Sequence, residues 1–169
     1  MKTLFYILLI ILAGIFQIGF LSHFDFLKNI NLLLIITIFT TIVNYPLALI
    51  GVIFGGFLLD IYSNFWFGSF VISLVLTTII IKNFFNNYFS KQHFLTYPAI
   101  GFIGVLSYNF ILINLINFFY LIKINAFSLI LNKIYWFDLI QQIILNVILI
   151  CLLYFLTTLT RARFKKFFY

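Results

Sequence analysis

Acidic residues are almost missing from this chain: three aspartates, Asp25, Asp60 and Asp138, stand against ten Lys and Arg among 169 residues. Charged residues of either sign make up 8% of the sequence and hydrophobic ones 65%. A soluble domain carries about 25% charged residues and cannot hide so much Phe, Ile and Leu from water. The solvent for most of the chain is therefore a bilayer. Cysteine is limited to Cys151, so no disulfide forms within one chain, and its apolar surroundings assign it to packing. Two histidines, His23 and His93, lie far apart, and the pair His23 and Asp25 is too small a ligand set for a metal. No phosphate-binding glycine loop, HExxH or nucleophile elbow occurs. With no convergent acids, bases or nucleophiles, an enzyme is not expected, nor any cofactor. The basic residues are scattered between apolar runs, which sets membrane orientation and speaks against nucleic acid.

What is present is a series of apolar runs with polar punctuation. The N-terminal run continues for about twenty residues without a small-x-small cleavage site, which reads as a retained first span. Six spans are expected, near 3–21, 30–45, 46–61, 67–85, 98–122 and 138–159, in one helical domain covering the whole chain. The second and third are short, about 24 Å each at 1.5 Å per residue, and a single helix kinked at Pro46 is the competing division. The triplet Asn44-Tyr45-Pro46 favours a break, because proline disfavours helix before it and suits the first turn of the next. Charge agrees with six spans. With both termini cytoplasmic, Lys2, Lys82, Lys91, Arg161, Arg163, Lys165 and Lys166 lie inside, and only Lys28, Lys123 and Lys133 lie outside with the three acids. Between spans five and six, 125–138 has its polar residues spaced for a short amphipathic helix at the outer interface, with Tyr135 and Trp136 at headgroup depth.

The segment Gly51 to Gly68, GVIFGGFLLDIYSNFWFG, holds the most specific pattern. Gly51 and Gly55 form a GxxxG with Gly56 adjacent, spacing that lets helix backbones approach in lipid. Asp60 follows at the end of that helix, the unfavourable end of the macrodipole for an acid. It is better placed reaching over the turn to the first amides of span four, or to a cation of a loop or partner, the alternative being a solvated acid at the membrane interface. In span five, Gly104, Ser107 and Asn114 share a face, readable as a packing seam or as the wall of a polar cavity. Amides and hydroxyls elsewhere within the spans, among them Gln17, Asn109, Gln142 and Asn146, are expected to face other helices.

Gly56-Phe-Leu-Leu-Asp60 followed by Gly68 resembles the G-x-x-x-D-x7-G core of the MreD family of small bacterial inner-membrane proteins of the cell-shape (rod) system. The segment 30–46 is similar to that family's short apolar helix opening with Pro-Asp or Pro-Asn, with Asn31 at its acid or amide. The last span, with Asn146 and a basic tail, is similar to its closing helix. Ile30, Val52 and Asn64 depart from the pattern, and the likeness covers about a third of the chain. The resemblance implies a non-enzymatic scaffold that binds MreC and, with it, links MreB filaments to RodA and its penicillin-binding partner. It also implies a bundle like that of the S components of energy-coupling-factor transporters, which makes capture of a vitamin or other small molecule the second expectation. S components usually present an Ala-rich small-residue motif that this chain lacks. A membrane protein of other role is a third.

Overall fold

The computed structural model describes residues 2–88, 95–124, 128–129 and 132–167, with side chains left undescribed at 2 and 158–167. Helices α1 (Lys2–Gly19), α2 (Leu32–Val43), α3 (Tyr45–Tyr62), α4 (Ser69–Tyr88), α5 (Thr96–Leu121) and α6 (Lys133–Phe167) follow one another, with a 3-10 turn at Leu21–His23. No strand occurs among the described residues. Five helices, all but α2, are long and apolar enough to cross a bilayer.

The division at Asn44 has a clear local cause. Asn44 closes α2, its N–H donating to Thr40 O at 2.7 Å, and it opens α3, its side chain accepting from Leu47 N at 3.2 Å. Pro46 falls in the first turn of α3, where a missing N–H costs nothing. One residue thus serves two helix ends, and the kinked single helix does not form. The second expected span is nevertheless shorter than its apolar run. α2 covers 12 residues, about 18 Å at 1.5 Å per residue, against a hydrocarbon core of about 30 Å. Residues 24–31 are spent on turns and on a cap rather than on helix.

α2 compensates by being central. It packs against α1, α3, α4, α5 and α6, and Leu33, Leu34, Ile35 and Ile38 are fully buried. Around it lie Ile10 of α1, Val52 of α3, Leu74 and Ile81 of α4, Ile100 and Val105 of α5, and Ile150 of α6. Three contacts fix which helix ends lie together. Tyr6 Oη and Thr40 Oγ1 are 2.9 Å apart, Lys82 sits over the Tyr45 ring, and Tyr97 stacks on Tyr154. The start of α1, the α2–α3 junction, the end of α4 and the start of α5 therefore share one end of the bundle with Tyr154.

The expected interfacial helix at 125–138 takes another form. Asn132 accepts from Tyr135 N at 2.8 Å and so caps α6, which makes Lys133–Asp138 the first turns of the last helix. Residues 125–127 and 130–131, like Lys91, lie outside the described residues. Ahead of α6, Asn117 pins the loop to α5 by accepting from Leu129 N and donating to Leu129 O.

Candidate functional site

The residues of the Gly56-to-Gly68 pattern meet at the corner between α3 and α4. Gly56 and Asp60 are four apart and so lie on one face of α3. A Cβ at Gly56 would come within 2.7 Å of Val71 Cα, so only glycine lets α3 approach the α4 backbone this closely. One turn later the Asp60 carboxylate accepts from Phe70 N at 2.9 Å and Val71 N at 3.2 Å, and it also takes the Gly68 N–H. These amides begin α4, where no intrahelical carbonyl is available to them. Asp60 is 3% exposed, a position a carboxylate tolerates when donors surround it. Gly68 holds φ +102°, a conformation that suits glycine and points its N–H back toward α3. Ser69 Oγ bonds Trp66 O at 2.7 Å, and the Trp66 ring lies 4.0 Å from that of Phe119, so α5 braces the corner.

The GxxxG pair is used differently from the close helix approach its spacing suggests. A Cβ at Gly51 would run into the Tyr6 phenol, and one at Gly55 would meet the Leu33 and Ile10 side chains. Both glycines leave room for large side chains of α1 and α2. The backbone-to-backbone approach belongs to Gly56, about 100° further around the helix.

A second tie joins α2 to α6. Asn31 donates its N–H to Asn146 Oδ1 at 3.0 Å, and its own Oδ1 accepts from Leu34 N at 3.0 Å. Gln17 of α1 accepts from Leu33 N at 3.1 Å. The amides that begin α2, orphans in any helix, are thus met by side chains of three elements. Asn146 is fully buried, and its Nδ2 has no hydrogen-bond partner among the described residues. The Asn31 side chain also hydrogen-bonds the buried Tyr108 phenol. Asn146, Asn31 and Tyr108 therefore run as one polar thread through α6, the start of α2 and α5.

The stripe expected on α5 does not stay together. Gly104 is buried against Ile38 and Ile81, and Ser107 is half-buried. Asn114 is exposed and donates to Phe110 O of its own helix. The helix turns enough over ten residues to carry the far end of the stripe outside. Asn109 takes the interior role, its Nδ2 donating to Val105 O and to Gln142 Oε1 of α6 at 3.0 Å. Gln17, Asn109 and Gln142 stood out in the sequence only as amides within apolar runs, whereas Tyr108 gave no signal. Their partners lie 16 to 33 residues away or on other helices.

The helices define an all-α membrane protein in which Asn31, Asp60, Asn109 and Asn146 tie one helix to another, while Thr37, Thr41, Ser73, Thr77 and Thr78 bond back to carbonyls of their own helices. No protein-family model, curated protein or solved structure matches this chain.

Proposed function

We propose that the chain is a non-enzymatic scaffold of the bacterial cell-shape system, seated in the cytoplasmic membrane with both termini inside. In this role it holds an MreC-like membrane protein and, through it, connects MreB to RodA and a penicillin-binding protein. The observation that carries the reading is the contact between Asn31 and Asn146. These residues lie 115 apart in sequence, both belong to the segments that carry the resemblance, and the Asn31 N–H donates to Asn146 Oδ1 in the interior. Gly56, Asp60 and Gly68, on which the resemblance also rests, converge on one corner. The interior is accordingly built to keep a fixed shape, which is what a scaffold presents to a partner.

Co-purification from bacterial membranes in mild detergent tests this. An MreC-like protein retained with the chain in constant ratio is expected. Retention of a vitamin or other small molecule without that protein would replace the scaffold by the S-component reading.

A further inference from the structure

At the end of the bundle away from Lys82, a groove of about 640 Å³ opens sideways between residues 25–28 and the first turns of α6. Its apolar wall is made by Phe26, Phe137, Ile140, Ile144 and Leu145, and its rim carries Asp25, Lys28 and Asp138. Asn29 holds the two sides together, donating to Asp138 Oδ1 at 3.4 Å and to Gln141 Oε1 at 3.1 Å, while Gln141 Nε2 donates to Phe26 O at 3.2 Å. Two of the three acids in a chain of formal charge +7 thus stand on one short edge. Lys28 Nζ is 3.2 Å from Asp25 Oδ1, so the rim is left with a net negative charge beside an apolar wall.

Below the groove, Ile140, Ile144, Ile148 and Leu152 are all about half exposed and lie four residues apart, which makes a continuous ridge. The ridge is about 18 Å long at 1.5 Å per residue. Residues 133–157 contain no Gly, Ala or Ser, the small residues that let a second helix come close in lipid. A ridge of branched side chains instead suits a flexible acyl chain.

We propose that this groove seats a phospholipid with a primary-ammonium headgroup, such as phosphatidylethanolamine. Its acyl chain lies along the α6 ridge and its ammonium meets Asp138 and Asp25. A primary ammonium is a compact cation with three N–H donors for the carboxylates. A choline headgroup has no such donor, and an anionic glycerol headgroup meets the carboxylates with like charge. Lys28 can reach the lipid phosphate from its place beside Asp25.

The full chain, equilibrated in vesicles of equal parts phosphatidylethanolamine, phosphatidylglycerol and phosphatidylcholine with identical acyl chains, is extracted, and its retained lipids are counted by native mass spectrometry. Phosphatidylethanolamine is expected in excess of each competitor by about threefold, the size of an exposed ion-pair contact. The double variant Asp25→Asn/Asp138→Asn is expected to lose the preference while retaining as much total lipid. Asp25→Asn alone, a change at a fully exposed side chain that leaves the fold intact, is expected to reduce it. Equal retention of the three lipids by the unmodified chain, or a preference that survives the double variant, overturns the proposal. So does a photocrosslinker at position 144 that captures protein rather than lipid.

Discussion

The α3–α4 corner and α6 pack by opposite means. At the corner a glycine lets two backbones touch, and a buried carboxylate closes the start of the next helix. Along α6 the contacts are made by branched aliphatic side chains, and only 11% of its most apolar stretch is buried, against 39% for α4. Apolar burial does little to hold helices together in lipid, because the alternative is equally apolar. Close approach and polar ties therefore carry the corner, and α6 is anchored by Asp138, Gln141, Gln142 and Asn146 and by the stacking of Tyr154 on Tyr97. The corner is locked, and most of the apolar stretch of α6 faces its surroundings.

Substitutions should separate these regions in order of size. Gly56→Ala places a methyl against backbone that cannot swing aside, so a loss of about 2–3 kcal/mol is expected from overpacking. Thermal unfolding in detergent reads it, and an unchanged melting temperature would mean that the helices are further apart. Asp60→Ala strands the opening amides of α4 and should lose about 2 kcal/mol, with Asp60→Asn losing less because one oxygen remains to accept. Asp60→Asn is expected to keep the topology while lowering the yield of the partner complex. Asn146→Ala removes the acceptor for Asn31 N–H and should lose about 1 kcal/mol. Ile148→Ala on the α6 ridge, half exposed, should change stability by less than about 0.5 kcal/mol. A large effect there would show that α6 is covered by protein rather than lipid, and the contrast between the two regions would fail.

Much of the corner was legible in the sequence because it is local. Gly56, Asp60 and Gly68 fall within thirteen residues, and helical spacing alone puts the first two on one face. The break at Asn44 was legible for the same reason, since cap and proline are neighbours. The length of α2 was not, because apolar composition does not say where turns replace helix within 24–31. The thread from Asn146 through Asn31 to Tyr108 was legible at Asn146 and Asn31, which the resemblance marked. Its last member, Tyr108, is one of ten tyrosines in a chain rich in aromatics, and only the packing of α5 brings it to Asn31. The α5 stripe failed because spacing at 0, 3 and 10 defines a face without saying how far that face stays inward.

Amide hydrogen exchange at Phe70 and Val71 tests the corner most directly, since Asp60 accepts both N–H groups and the helix itself offers them no carbonyl. Both amides should exchange slowly in the unmodified protein and rapidly in Asp60→Ala, while amides in the middle of α4 remain protected in both. Rapid exchange at Phe70 and Val71 in the unmodified protein would contradict the tie.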